Sequence, residues 1–76
     1  MADIVLPELG EGITKATMAC WHAKIGDYLR QGEDLCEVVT DKASFVIEAT
    51  ARGKLKSIIV AEGQEAQVGG VLGTIE

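Results

Sequence analysis

The sequence predicts an all-β fold, and three observations support this prediction. Helix signals are almost absent from the 76 residues. Nine glycines divide the chain into short runs rich in Val, Ile, Leu and Thr, which is typical of short strands joined by tight turns. The pattern also repeats at a fixed interval, which favours two matched β units.

Six runs carry the clearest strand signals, because they are rich in β-branched residues and bounded by turn-forming ones. They are residues 4–6, 17–23, 34–40, 44–49, 54–60 and 71–75. Two shorter runs, 28–29 and 66–67, are weaker and are predicted as bridging strands. A chain of 76 residues makes one domain at most, so we expect all of these strands in one domain over residues 1–76.

An internal repeat becomes visible when Gly26 is aligned with Gly63, an offset of 37 positions. Gly32 then meets Gly69, and apolar residues coincide around the glycines. The apolar pairs are Met18 with Leu55, Trp21 with Ile58, Leu29 with Ala66, Leu35 with Leu72 and Val38 with Ile75. Matched glycines predict matched turns, since glycine adopts backbone angles that other residues avoid. The chain is therefore predicted to form two similar halves, joined by residues 40–43.

The junction between the halves reads TDKA, with strand-forming runs on both sides. These runs predict a hairpin with Lys42 at or beside its tip. Asp41 is expected to form the turn, because an aspartate side chain can accept a hydrogen bond from a backbone N–H ahead of it. Ala43 is too small to shield the lysine amine. We therefore expect Lys42 to be presented to solvent on an ordered turn, although lysines are also common on turns without any function.

The charge balance excludes several classes of partner. The formal net charge is −5 and the sequence pI is about 4.7, with no basic patch, so neither nucleic acid nor an anionic membrane is an expected partner. No apolar run approaches the roughly 18 residues that a membrane span needs. Asp3, Glu8 and Glu11 argue against an N-terminal signal peptide.

The two cysteines, Cys20 and Cys36, could form one disulfide, but they fit no zinc or thioredoxin spacing, and no metal site is predicted. Both lie in predicted strands, where a small buried thiol is the usual state. Cys20 and His22 fall on one face of their strand, so a Cys–His nucleophile pair is conceivable. The sequence offers that pair no third orienting group and no glycine-rich oxyanion site.

Side chains of a strand alternate between its two faces, so Trp21 is predicted on the opposite face, together with Ala19 and Ala23. A small β domain needs a large apolar side chain to fill its interior. Trp21 is therefore predicted to lie in the core, and not to contact a ligand.

Five segments match one known family nearly from end to end. They are IVLPELGEGI at 4–13, WHAKIGD at 21–27, QGEDLCEV at 31–38, TDKA at 40–43 and GKLKSIIVAEG at 53–63. On these residues the chain resembles the lipoyl domains of 2-oxo acid dehydrogenase complexes, within the wider biotinyl/lipoyl carrier family. The resemblance implies a flattened barrel or sandwich of two four-stranded antiparallel sheets with pseudo-two-fold symmetry. It places Lys42 on a hairpin tip and both termini at the opposite end.

The resemblance also implies a function, that of a non-catalytic swinging-arm carrier within a dihydrolipoamide acyltransferase chain. Lipoate would be attached to the Lys42 amine by a lipoate ligase or lipoyl transferase. The arm would accept an acyl group at a thiamine-dependent 2-oxo acid decarboxylase, deliver it at an acyltransferase, and be reoxidised by a flavin-dependent dihydrolipoamide dehydrogenase. The isolated domain is expected to be a monomer, in a bacterial or archaeal cytoplasm or in the mitochondrial matrix.

Further site residues follow from the same resemblance. Asp41 and Ala43 would present the lysine and be read by the ligase. A loop near the lysine would be recognised by the decarboxylase, and Glu37 matches a family position on the strand leading to the tip. The loop residues are Glu8, Leu9, Gly10, Glu11, Gly12 and Thr14. An ordinary surface turn and a solvated strand glutamate are the alternative interpretations.

Three other functions remain open from the residues. A biotin carrier would share the fold, but such domains flank the lysine with methionines, so Asp41 and Ala43 favour lipoate. An unmodified interaction module could use the same fold, and an enzyme could use Cys20, His22 or Lys42 directly. The chain also departs from the lipoyl pattern in two places. These are Val39, where glutamate is frequent, and the region of Thr50, where a proline is common.

Overall fold

The computed structural model describes residues 2–76, and it confirms the predicted all-β class. Its strands are β1 (Ala2–Val5), β2 (Lys15–Trp21), β3 (Tyr28–Leu29), β4 (Asp34–Val39), β5 (Ser44–Glu48), β6 (Gly53–Ile58), β7 (Glu65–Gln67) and β8 (Val71–Ile75). Each clear run and both weaker runs of the sequence correspond to one of these strands. Nowhere in residues 2–76 is there a helix with the length and apolarity needed to cross a bilayer.

The strands form two four-stranded antiparallel sheets, as the family resemblance implied. Sheet I has the order β1-β8-β6-β3, and sheet II has the order β5-β4-β2-β7. Adding four to each strand number, and returning to β1 after β8, converts one order into the other. This is the pseudo-two-fold relation between a first half, β1–β4, and a second half, β5–β8. Ala2 pairs with Ile75 in sheet I, whereas the Lys42 turn extends from the Val39–Ser44 pair of sheet II.

The predicted repeat extends to individual backbone hydrogen bonds. The Gly26 N–H donates to the Leu55 carbonyl at 2.8 Å, and the Gly63 N–H donates to the Met18 carbonyl at 2.8 Å. The two glycines have φ angles of 96° and 88°, a region that residues with a Cβ rarely adopt. Equivalent turns therefore attach each half to the long central strand of the other.

The second strand begins and ends two residues earlier than the predicted range 17–23. It begins at Lys15 because β7 pairs with this end of the strand. Beyond its other end, the N–H groups of His22 and Ala23 both donate to the Leu35 carbonyl, at 2.7 and 3.3 Å. Two donors on one acceptor break the regular ladder. The two residues that follow β6 share the Leu72 carbonyl in the same way, at 2.9 and 3.1 Å.

The core lies between the two sheets and is apolar throughout. No polar or charged side chain of the described residues is buried. Each fully buried Leu or Ile stabilises the fold by about 1.5–3 kcal/mol relative to exposure, so this small set carries most of the stability. The largest fully buried side chains are Ile4, Leu6, Met18, Leu29, Leu35, Cys36, Val38, Leu55, Leu72 and Ile75. Equivalent positions of the two halves recur in this set, including Leu35 with Leu72 and Val38 with Ile75.

A register shift beside Ala19, which no local pattern of the sequence predicts, decides which side chains of β2 face outward.

 The pairing of β2 with β4 shifts register between Met18 and Cys20, so Ala19 is exposed, and its predicted place on the core face is wrong. After the shift, Cys20 lies opposite Glu37 on the outer face of sheet II. Trp21 turns toward the core, as predicted, where it is half-buried and its indole N–H donates to a backbone carbonyl.

Candidate functional site

Lys42 lies in the turn between β4 and β5, which is the direct connection between the two halves. Asp41, Lys42 and Ala43 are all exposed, and Thr40 is half-buried at the base of the turn. The Thr40 N–H donates to the Ala43 carbonyl at 2.8 Å, which closes the end of the hairpin. The lysine amine is thus presented to solvent from an ordered hairpin, as the sequence predicted.

The hydroxyl of Thr40 organises this turn. It accepts hydrogen bonds from the N–H groups of Lys42 and Ala43, both at 3.1 Å, and donates to the Ala43 carbonyl at 3.1 Å. In a standard β-turn the last N–H donates to the first backbone carbonyl, so here the hydroxyl replaces that acceptor. The turn-forming role expected of Asp41 therefore belongs to Thr40. The available signal was a Thr at the first position of the turn, where Ser and Thr hydroxyls often bond the backbone ahead.

The backbone of the turn keeps to ordinary angles. No residue other than glycine has a positive φ within residues 2–76, so neither Asp41 nor Lys42 adopts the left-handed conformation that the commonest two-residue hairpin turns require. The hydroxyl bonds of Thr40 stabilise this alternative geometry. A lysine can therefore occupy the tip without the strain that positive φ imposes on a side chain with a Cβ.

A groove of about 480 Å³ lies beside the lysine turn. The turn forms one wall through Thr40, Asp41 and Lys42, and the start of β2 with the loop before it forms the other. The remaining lining residues are Gly12, Ile13, Thr14, Lys15, Ala16, Thr17, Val39 and Glu65. Lys15 and Glu65 approach each other to 3.5 Å there, but both are mostly exposed, so this ion pair contributes little to stability.

Only part of the predicted recognition loop lines this groove. Gly12 and Thr14 do, together with Ile13, which lies between them and was not among the predicted recognition residues. The earlier loop residues are not among the lining residues; of these, Leu9 instead packs partly against the core. The Ile13 N–H donates to the Gly10 carbonyl at 3.2 Å, so a tight turn separates the two parts of the loop.

Glu37 lies apart from the groove, on the outer face of sheet II. One of its carboxylate oxygens is 3.8 Å from Nε2 of His22, and the Cys20 sulfur is 3.9 Å from the same nitrogen. The structure therefore supplies the third group that the sequence did not show for a Cys–His pair. Both neighbours approach one ring nitrogen, however. A catalytic relay needs the thiol on one nitrogen and the carboxylate on the other, so this arrangement does not activate the thiol as a triad does.

The two cysteines differ in environment, and both are free thiols. Cys36 is fully buried, as predicted, whereas Cys20 is only half-buried because of the register shift. Burial raises the pKa of Cys36 to about 12, and the proximity of Cys20 acts in the same direction. Cys36 is therefore a neutral, unreactive core residue at physiological pH.

Comparisons with known proteins identify the family and the fold. The family model described as "Biotin-requiring enzyme", for biotin and lipoyl domains, matches residues 2–75. The lipoyl domain of the 2-oxoglutarate dehydrogenase complex from Azotobacter vinelandii, solved in solution, superposes with a TM-score of 0.78 at 32% identity. That comparison covers 100% of this chain and 96% of the other.

Curated relatives belong to the same group. The dihydrolipoyllysine-residue succinyltransferase component of the Bacillus subtilis 2-oxoglutarate dehydrogenase complex is 43% identical over 75 residues, which are 99% of this chain and 18% of that protein. An acetyltransferase component of the mitochondrial pyruvate dehydrogenase complex of Arabidopsis thaliana is 44% identical over 71 residues, or 92% of this chain and 13% of that protein. The chain thus spans less than a fifth of these relatives. It belongs to the biotin/lipoyl family, as a domain of the lipoyl type.

Proposed function

We propose that this chain is a swinging-arm carrier whose Lys42 Nζ holds lipoate in amide linkage. The observation that carries the proposal is the exposed lysine on a hydroxyl-stabilised hairpin between the two halves of a lipoyl-type domain. An exposed primary amine fits a covalent attachment point. When bound, lipoate supplies acyl-carrying and two-electron redox chemistry.

The residues of the turn have different roles in lipoate attachment. Thr40 fixes the backbone on both sides of the lysine through the N–H groups of Lys42 and Ala43. Asp41 and Ala43 flank the amine without covering it, which leaves it open to a lipoate ligase or lipoyl transferase. Amide formation removes the positive charge of Lys42, so the modified tip carries only the charge of Asp41.

Partner recognition is proposed for the groove beside the lysine. Gly12 and Thr14 form its far wall, so a decarboxylase that receives the arm would contact this wall and the turn together. Such a partner would be the thiamine-dependent component of a 2-oxo acid dehydrogenase complex. The arm would then visit the acyltransferase and, after it, dihydrolipoamide dehydrogenase. Tethering raises the effective concentration of the arm to about millimolar for a short flexible link. The proposed compartment is a bacterial or archaeal cytoplasm or the mitochondrial matrix.

The direct test is intact mass measurement with peptide mapping after incubation with lipoate, ATP and a lipoate ligase. We expect one lipoyl group on Lys42 and none on Lys42→Arg, because a guanidinium is not an acylatable amine. The arginine variant should unfold within about 0.5 kcal/mol of the wild type, since an exposed turn side chain contributes little. A biotinyl adduct after a parallel incubation with biotin ligase, with no lipoyl adduct, would contradict the lipoate proposal and indicate a biotin carrier. No adduct with either active ligase would favour an unmodified interaction module.

The position of the lysine on the turn gives a second test. In the double variant Asp41→Lys with Lys42→Asp, composition and charge are unchanged, but the amine moves one position. Lipoylation should be impaired, because the ligase would read the presentation of the amine as well as its neighbours. Modification of the shifted lysine at the wild-type rate would contradict recognition of the turn geometry.

A further inference from the structure

A second cluster of reactive side chains lies on the outer face of sheet II. Cys20 and Glu37 are directly opposed on β2 and β4, and His22 follows two residues after Cys20. The cluster exists because the register shift turns Cys20 outward. None of the three residues lines the groove beside Lys42, so the cluster is separate from the carrier site.

The three donor atoms converge on one point. The Cys20 sulfur and a Glu37 carboxylate oxygen lie 3.9 and 3.8 Å from Nε2 of His22, and all three donors lie within 4.8 Å of one another. In a tetrahedral zinc site with metal–ligand bonds of about 2.0–2.3 Å, neighbouring donors are about 3.3–3.6 Å apart. The two distances to Nε2 of His22 therefore need to contract by only a few tenths of an ångström, and the separation of the Cys20 sulfur from the Glu37 carboxylate oxygen by up to about 1.2 Å. The His22 and Glu37 side chains are 44% and 35% exposed, so they have room to move.

The choice of donors also indicates a metal. One sulfur, one imidazole nitrogen and one carboxylate oxygen are all ligands that zinc accepts. A single ring nitrogen facing both a thiol and a carboxylate serves poorly as a proton relay, but it suits a shared ion. Two of the ligands lie on paired strands, and the third, His22, is held by the hydrogen bond from its own N–H to the Leu35 carbonyl, at 2.7 Å. The sequence spacing alone showed no zinc motif, because Glu37 joins the cluster only through strand pairing.

We propose that Cys20, His22 and Glu37 form a surface site for one zinc-class divalent ion. Three protein ligands leave the fourth position of a tetrahedral ion open to water or to an external ligand, as in exchangeable zinc sites. Binding requires the Cys20 thiolate and a neutral His22, so protons are released as the ion enters. The site also provides a physical reason for the outward-facing thiol, which a lysine-based carrier does not need.

The test is calorimetric and optical titration of the 76-residue chain, kept reduced with a phosphine, using Zn²⁺ and then Co²⁺ as a spectroscopic substitute. We expect one ion per chain, and a Co²⁺ complex with a thiolate charge-transfer band and the intense visible bands of tetrahedral coordination. Zn²⁺ should displace Co²⁺, because its affinity for such sites is higher. All titrations are repeated on Lys42→Arg, which cannot carry lipoate, so that a lipoyl dithiol cannot supply the ligands.

Variants separate the proposed ligands from other groups. Cys20→Ser and His22→Ala should each weaken Zn²⁺ binding by more than about 100-fold, beyond the effect of losing a group that only orients a ligand. Glu37→Gln should weaken it to a smaller degree, since an amide oxygen is a poorer ligand than a carboxylate. Cys36→Ala and Glu48→Gln are the matched controls for the thiol and the carboxylate, and they should leave the affinity unchanged. Two-dimensional NMR spectra of each variant verify the fold.

Several results would overturn the proposal. They are the absence of stoichiometric Zn²⁺ binding to the reduced wild type, binding that survives both Cys20→Ser and His22→Ala, or binding that depends on Cys36. Neither the lipoylation result nor the fate of Lys42 affects any of these outcomes. Failure of the metal site therefore leaves the carrier proposal intact, and the reverse also holds.

Discussion

The two halves of the molecule have equivalent cores but different connections. The segment between β1 and β2 has nine residues, 6–14, whereas its counterpart between β5 and β6 has four, 49–52. The longer segment supplies Gly12 and Thr14 to the wall of the groove beside Lys42. Three pairs of equivalent, fully buried positions are filled by the same or similar side chains, namely Met18 with Leu55, Leu35 with Leu72 and Val38 with Ile75. The comparison teaches that the duplicated part of the chain forms the scaffold, and that the proposed recognition groove is lined by a segment in which the two halves differ.

The largest expected effect tests the equivalence of the cores. Leu35 and Leu72 occupy matching positions and are both fully buried. Leu35→Ala and Leu72→Ala should each cost about 2–5 kcal/mol, because each removes buried methyl groups and leaves a cavity. Urea unfolding measures both. A cost for one variant less than half that of the other would show that the halves are not energetically equivalent.

The next prediction concerns a position at which the halves differ. Gly73 is the counterpart of Cys36, and a Cβ on Gly73 would lie 2.5 Å from the backbone oxygen of Ser57 and 3.2 Å from the Trp21 ring. Gly73→Ala should therefore destabilise the fold by about 1–3 kcal/mol, since a backbone neighbour cannot simply rotate away. Thermal unfolding measures the change. Wild-type stability in this variant would mean that sheet I relaxes freely around Trp21.

A smaller effect is expected at the turn that joins the halves. Thr40→Val keeps the shape of the side chain but removes the hydroxyl that bonds Lys42 and Ala43. Stability should fall by about 1 kcal/mol, the net value of an ordinary hydrogen bond, because water can replace part of what is lost at this partly exposed site. The lipoylation rate of Lys42 should fall as the tip loosens. Thr40→Ser should restore both, and Thr50→Val is a control on an exposed threonine. An unchanged lipoylation rate in Thr40→Val would show that the Thr40 hydroxyl is not needed to present Lys42 to the ligase.

The smallest effect is confined to alkaline solution and to one half. The pKa of Cys36 is raised from 9.0 to about 12 in the folded chain, so above pH 9 the unfolded state loses a proton that the folded state keeps. Stability from this group is complete below pH 9 and falls as the pH rises toward 12; the loss up to pH 9.5 is less than about 1 kcal/mol. The difference between wild type and Cys36→Ala in urea unfolding isolates this contribution from other groups. A constant difference between pH 8 and pH 9.5 would contradict it.

The sequence predicted most of the fold because its signals are local. Short β-branched runs, glycines at matched intervals and a lysine between two runs all act over a few residues. The family resemblance added the two sheets and the carrier role. The position of the turn was predicted correctly, but the residue that stabilises it was not. Thr40 and Asp41 can both accept hydrogen bonds from backbone N–H groups ahead of them, and the sequence does not show which one does.

The sequence by itself determined the strands, the repeat and the exposed Lys42. Only the tertiary structure decided that Ala19 faces solvent, that Cys20 lies opposite Glu37 on the neighbouring strand, and that Gly12 and Thr14 line the groove beside the lysine turn. The physical reason is that strand propensity depends on neighbouring residues, whereas register is set by packing between strands. A one-residue shift in register reverses the faces of every side chain beyond it, and no local pattern records where that shift occurs.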